Sequence, residues 1–260
     1  MTRNENAPQT AGAVVIVTGA AHGIGAAYAR RLCEDGASVA LVDLDLDGVE
    51  QVAAQLVSKG YSASGHRADI SDDGAVKALV KTVVDTHGRV TGLVNNAAVF
   101  SVVPMSRAPF DEITLDEWDL MMRVNVRGTW QMSRAVVPAM KAAGYGKIVN
   151  ISSGTALKGS DSRIHYVTSK AAILGFTKTL AREVGQYNIT VNCVAPGSTL
   201  SEENPDDAVV ARRAAGGRDR ALPRTQTPED LLGAVSFFLS HDSDFITGQT
   251  LVVDGGSYLH

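Results

Sequence analysis

Cysteine is nearly absent: only Cys33 and Cys193 occur in 260 residues, which excludes a disulfide-stapled scaffold. Both fall within segments patterned as helix and strand. They read as small buried residues of a reducing cytosol, and a cytoplasmic localisation is expected. The six histidines are scattered without HExxH or CxxC spacing, so no metal site is expected. No apolar run is long enough to span a bilayer, and the polar stretch 1–12 reads as a loose tail rather than a secretory signal. A net charge of −4 offers no basic surface for nucleic acid or an anionic membrane. Internal repeats and dividing linkers are also missing, so 13–260 is expected to form one domain.

What is present is an alternation of strand and helix. Val14 to Thr18 is a continuous β-branched run, as a strand covered on both faces requires. Further strands are expected at Ser38–Val42, Ser62–Ala68, Gly92–Asn95, Lys147–Ile151, Ile189–Ala195 and Gln249–Asp254. Helical patterns run over Ile24–Asp35, Leu46–Lys59, Asp72–Thr86, Thr114–Asn125, Asn125–Ala143, Tyr166–Gln186 and Pro228–Leu239, the last with Thr227 as a plausible N-cap. Such alternation implies parallel strands with right-handed crossovers: a single-domain α/β fold, one doubly wound sheet with helices on both faces. Only 198–226 breaks the rhythm. It is long, charged and interrupted by Pro205, Gly216, Gly217 and Pro223, which suggests a lid.

Gly19, His22, Gly23, Ile24 and Gly25 fall in a turn between the first strand and the first helix, with GxxxGxG spacing. Glycines let a pyrophosphate approach main-chain amides at the positive end of a helix. Asp43, at the end of the second strand, stands where an acid binds the adenosine ribose hydroxyls. A carboxylate there repels the extra phosphate of NADP, and Leu44 beside it offers no cation, so NAD is the expected cofactor. The alternative for Asp43 is a solvated loop acid in a patch with Asp45 and Asp47.

Tyr166 and Lys170 are four apart at the start of a helix and share a face. A phenol with pKa ≈ 10 is a poor base, and a nearby ammonium stabilises its phenolate. Such a phenol exchanges a proton with an alcohol oxygen while hydride leaves the carbon. Ser152 and Ser153 end a strand where a hydroxyl could donate to the same oxygen.

Taken in order, Thr18–Gly25, Asp69, Asn95–Ala98, Asn125, Ile148–Ser153, Tyr166-x-x-x-Lys170, Pro196-Gly197 and Ile246–Gly256 resemble the short-chain dehydrogenase/reductase family over nearly the whole chain. Within it, the chain resembles NAD-dependent secondary-alcohol dehydrogenases. The resemblance implies that Tyr166 is the general base in oxidation and that Ser153, rather than Ser152, holds the substrate oxygen. Lys170 would lower the tyrosine pKa and bind the nicotinamide ribose, and Asn125 would bind a water linking Lys170 to solvent. Asp69 and Ile70 match adenine contacts, and Asn96 and Ala97 line the cofactor groove. Pro196, Gly197 and either Thr199 or Ser201 would anchor the carboxamide. Thr18, Asn95 and Asn150 read as structural. One departure is Ala98, where the family usually has glycine.

The substrate pocket is expected among Val99–Val103, Thr155–Ser160, Ile164, His165 and the lid, which suits a compact hydrophobic, aryl or cyclic secondary alcohol or its ketone. The lid arginines Arg212, Arg213, Arg218, Arg220 and Arg224 could attract an anion. Glu202, Glu203, Asp206 and Asp207 among them favour a solvated helix of mixed charge. A second apolar face on the helix from Tyr166 suggests a homotetramer. Two other functions remain in view: an NADPH-dependent 3-oxoacyl or other ketoreductase, and a non-catalytic dinucleotide-binding regulator. The set Asn125, Ser153, Tyr166 and Lys170 argues against the regulator.

Overall fold

The computed structural model describes residues 10–100, 103, 105–202, 204–217 and 220–259; most of the expected tail lies outside them, as do Ser101, Val102, Glu203 and Arg218. Seven strands form one sheet: β1 (Val14–Thr18), β2 (Ser38–Asp43), β3 (Ala63–Arg67), β4 (Gly92–Asn95), β5 (Gly146–Ile151), β6 (Ile189–Pro196) and β7 (Thr250–Val253). The order is β3-β2-β1-β4-β5-β6-β7, with every pair parallel. Strand order reverses between β1 and β4, and a crevice opens there at the carboxyl ends of the strands.

The helices are α1 (Gly23–Glu34), α2 (Leu46–Ser58), α3 (Asp73–His87), α4 (Leu115–Met122), α5 (Thr129–Ala143), α6 (Thr155–Lys158), α7 (Ile164–Val184), α8 (Asp207–Ala215) and α9 (Glu229–Leu239). Alternate side chains of each strand feed two cores. Val15 and Val17 of β1 pack with α1, α2 and α9 on one face, through Leu32, Val52 and Val235. Val14 and Ile16 pack with α3, α5 and α7 on the other, through Leu79, Val136 and Val184.

Helix starts are written in side chains. Asp45 and Asp72 accept from amides three residues on, and Thr114 with Glu117 forms a capping box. Thr227 does not cap α9 with its side chain. Asp230, gripped by Arg224 at 2.5 Å, instead accepts the Thr227 amide at 3.0 Å. Between α4 and α5 the chain does not break but widens into a π-turn, Arg123–Gly128. The lid is tied to the body. Thr199 pairs with Gln226, and the buried Arg220 donates to the carbonyls of Ser198 at 2.7 Å and Arg224 at 3.0 Å. Among the described residues, no helix is long and apolar enough to cross a membrane.

Candidate active site

A cleft of about 1030 Å³ occupies the crevice. Every residue given a cofactor role in the sequence, from Gly19 to Thr199, lines it, together with Ser153, Tyr166 and Lys170.

One end is built largely from main chain. Gly19 adopts φ 66°, a left-handed conformation, and a Cβ there would lie 2.8 Å from Ala97 Cα. A Cβ on Gly25 would overlap the Gly19 carbonyl oxygen. The turn is clamped from behind: Asn96 Nδ2 donates to the carbonyls of Thr18 and Gly19 at 3.0 and 3.1 Å. Thr18 Oγ1 accepts the amides of Asn96 and Ala97. The α1 N-terminus and bare glycines therefore form a cradle that fits a pyrophosphate, with no side chain filling it. Asp43 Oδ2 accepts the Ala21 amide at 3.2 Å, and Oδ1 accepts the Leu44 amide at 2.7 Å. His22 Nε2 lies 2.7 Å from Asp45 Oδ2, so the imidazole is turned toward an acid. Asp45 is held below the usual carboxyl range, first by the Gly48 amide and then by His22. Asp69 is exposed and accepts the Ser71 amide, while Ile70 is buried.

The other end carries the titratable side chains. The α7 helix begins at Ile164 and aims Tyr166 and Lys170 from one face. Lys170 Nζ donates to the Ile151 carbonyl at 2.9 Å and stands 5.9 Å from the Tyr166 ring centroid. Burial pushes its pKa down to about 8. The two serines part company. Ser152 donates to the Lys170 carbonyl at 2.6 Å, whereas Ser153 lies beside Thr155, with Oγ–Oγ1 at 3.0 Å, and its hydroxyl favours the ionised form of the Tyr166 phenol.

Tyr166 differs from the sequence expectation. Burial raises its pKa, and the opposing influences are Ser153, Arg163, Arg213 and Arg107 rather than Lys170. The Lys170 ammonium is directed at a carbonyl and sits over the ring, not at the hydroxyl.

Asn125 lies in the π-turn and is buried outside the cleft lining. Its Oδ1 accepts the Val99 amide at 2.8 Å and its Nδ2 donates to Ser169 Oγ at 3.0 Å; none of these bonds goes to Lys170. Asn95 and Asn150 form a buried polar ladder from Ser133 to Thr177 that joins α5, β4, β5 and α7. Thr199 donates to the Gly197 carbonyl at 3.2 Å, while the Ser201 carbonyl lies 2.8 Å from where a Cβ on Gly23 would sit. Ala98 lines the cleft without a positive φ, so its methyl is accepted by ordinary backbone.

The substrate side needs corrections. Val99, Phe100, Val103, Thr155 and Ser160 line the cleft, but Ala156, Leu157, Ile164 and His165 do not. Ile164 is exposed, and His165 is buried 3.4 Å from Ser106, because positions one or two before Tyr166 leave its helical face. The lid is not simply solvated: Arg213 and Arg220 are each 6% exposed and line the cleft. Sequence reasoning missed Arg107, Leu120, Arg163 and Asp254 in the lining. The signal for Arg163 was its place three residues before Tyr166, at the mouth of the same helix.

A family model described as enoyl-(acyl carrier protein) reductase matches residues 19–258. The chain is 37% identical to the short-chain reductase protein NovJ of Streptomyces niveus, over 94% of this chain and 93% of that protein. It is 38% identical to dehydrogenase/reductase SDR family member 4 of Bos taurus, over 95% and 88%. A crystal structure of a putative NAD(P)-dependent gluconate 5-dehydrogenase from Beutenbergia cavernae, with NADP bound at low occupancy, superposes with a TM-score of 0.87 and 34% identity, covering 97% of this chain and 99% of that one.

Proposed function

The chain belongs to the short-chain dehydrogenase/reductase family, whose members here are nicotinamide-dependent oxidoreductases, and on that premise we propose that it oxidises a secondary alcohol to its ketone with NAD. The observation that carries this reading is the meeting of Ser153, Tyr166 and Lys170 in the same cleft as the glycine cradle. A nicotinamide bound in the glycine-lined cradle would supply the acceptor for the hydride released from the carbinol carbon. Ser153 holds the alcohol oxygen, and the Tyr166 phenolate takes its proton. Lys170 binds the nicotinamide ribose, and its charge stabilises the phenolate as substrate and cofactor exclude water. The Asn125 side chain fixes Ser169 and the Val99 amide, and the family resemblance adds a water held by Asn125 between Lys170 and solvent.

NAD rather than NADP is favoured by the acids. Asp43 and Asp45 both line the cleft beside Leu44, and the one basic group among them, His22, is turned to Asp45. The crystal structure of the Beutenbergia protein holds NADP, so the choice is specific to this chain's residues. Cys33 and Cys193 are both free and buried, which supports a cytoplasmic setting. The half-exposed apolar residues Ala172, Leu174 and Phe176 on α7 support a homotetramer.

The test is a screen of aryl, cyclic and aliphatic secondary alcohols with NAD and NADP in parallel, following nicotinamide reduction. We expect turnover with NAD. A clear NADP preference removes the role given to Asp43, and turnover unaffected by Tyr166→Phe removes the proton-transfer role.

A further inference from the structure

We propose that the reaction end of the cleft is built for a substrate bearing a carboxylate, received by Arg163 and Arg213, so that the alcohol oxidised is a hydroxy acid and the product the corresponding oxo acid. The oxidation itself rests on the dehydrogenase reading; the carboxylate site stands on geometry of its own.

Arg163 is half-buried and its guanidinium carbon lies 5.9 Å from the Tyr166 ring centroid. Its hydrogen bonds go to Ser160, with Nε–Oγ at 3.1 Å, and no carboxylate of the described residues pairs with it. Arg213 reaches the same region from α8. Its side chain is 7% exposed and its guanidinium carbon is 5.6 Å from the Phe100 ring centroid. The Phe100 ring is in turn 5.4 Å from that of Tyr166. Glu202 takes one Arg213 nitrogen at 2.5 Å, and Ser198 lies 3.5 Å from another. The Nε of Arg213 is buried without a partner. Both arginines, with the exposed Arg107, favour the ionised form of Tyr166, so their field reaches the phenol.

Burying a guanidinium is unfavourable unless its donors are matched. Here Glu202 pairs with Arg213 alone, Arg163 has no acid partner among the described residues, and both arginines line the cleft. A guanidinium fork matches a carboxylate in two parallel hydrogen bonds. Val99, Phe100, Val103, Leu120 and Val124 also line the cleft and supply an apolar wall for the substrate's body. Because Glu202 already offsets Arg213, the surplus charge suits a monoanion rather than a phosphate dianion. No redox partner beyond the nicotinamide is required: the carboxylate keeps its charge while the carbinol loses a hydride and a proton.

The test pairs 3-hydroxy-3-phenylpropanoate with its methyl ester as substrates. It also measures binding of 3-phenylpropanoate against 3-phenylpropanamide by calorimetry on the full chain with NADH. We expect the acid to exceed the ester about tenfold in kcat/KM, mostly through KM, and the acid ligand to bind about tenfold tighter than the amide. Arg163→Gln should collapse both ratios. Arg213→Gln is made together with Glu202→Gln, so that no buried carboxylate is left unpaired, and should shrink both. Equal binding of acid and amide by the unmodified protein overturns the proposal, whether or not the ester is oxidised. A preference that survives both arginine changes overturns it too. Carboxylate-selective binding lost in these variants, with no alcohol oxidised, leaves the anion site standing and sinks the dehydrogenase reading.

Discussion

The two ends of the cleft are made of different material. At the proposed adenosine end the lining is main-chain amides and bare glycines, with Asp43, Asp45 and Asp69 as its acids and His22 against Asp45. At the reaction end the lining is side chain, and Arg107, Lys158, Arg163, Lys170, Arg213 and Arg220 outnumber Glu202 and Asp254. An acidic end rejects an extra phosphate, while a basic end attracts an anionic substrate and favours phenolate. On the proposed reading, one continuous cleft would select its cofactor by repulsion and its substrate by attraction, the two charge sets sitting on opposite sides of the switch between β1 and β4.

The sharpest way to separate the ends is Tyr166→Phe. Turnover should fall about 10³-fold, the scale of a lost acid–base group, while NADH affinity measured by fluorescence stays within about threefold. A parallel loss of NADH affinity would show that the phenol also builds the cofactor end. Gly25→Ala probes the main-chain end in turn. Its methyl meets the Gly19 carbonyl oxygen, which cannot swing away as a side chain does. A destabilisation of about 1–3 kcal/mol is expected, with NADH affinity lost alongside. Thermal unfolding with and without NADH reads both; an unchanged Tm would mean the turn is looser than its geometry indicates.

Asp43→Ser should have a smaller and more selective effect. Removing the carboxylate should shift the kcat/KM ratio of NAD to NADP about tenfold toward NADP. The acid-to-ester preference at the other end should not move. If both shift together, the ends are coupled and the comparison fails.

The same division explains what the sequence discloses. The dinucleotide end is local: a β-branched strand, a glycine turn and an acid closing the next strand follow one another along the chain, so Gly19 to Asp43 can be read directly. The pair Tyr166 and Lys170 is equally local, being one helical turn. The reaction end is assembled from distant segments. Charges alternating along 198–226 look solvated until Glu202, eleven positions before Arg213, draws that arginine inward. The π-turn at Asn125 has no breaker to announce it. The Thr129 hydroxyl takes the Asn125 carbonyl at 2.9 Å, and the helical pattern runs on across the bulge. The electrostatics of Tyr166 likewise depend on arginines brought together only by folding.

A separate effect concerns stability at Lys170. Its pKa falls from 10.5 in the unfolded chain to about 8 in the fold because burial disfavours the ammonium. Between those values the unfolded chain binds more protons than the folded one, so this lysine makes stability rise as pH climbs from about 8 to 10.5. Lys170→Met removes that slope and keeps every other titrating group. The difference in Tm, variant minus unmodified protein, should therefore decrease by a few degrees between pH 7 and pH 10. Loss of the hydrogen bond to the Ile151 carbonyl shifts the difference at all pH values, so the slope and not the offset carries the test. A flat difference would mean that the buried ammonium is not penalised in the free protein. The reaction end would then hold its charges as easily as the adenosine end holds its acids, and the contrast between them would reduce to sign alone.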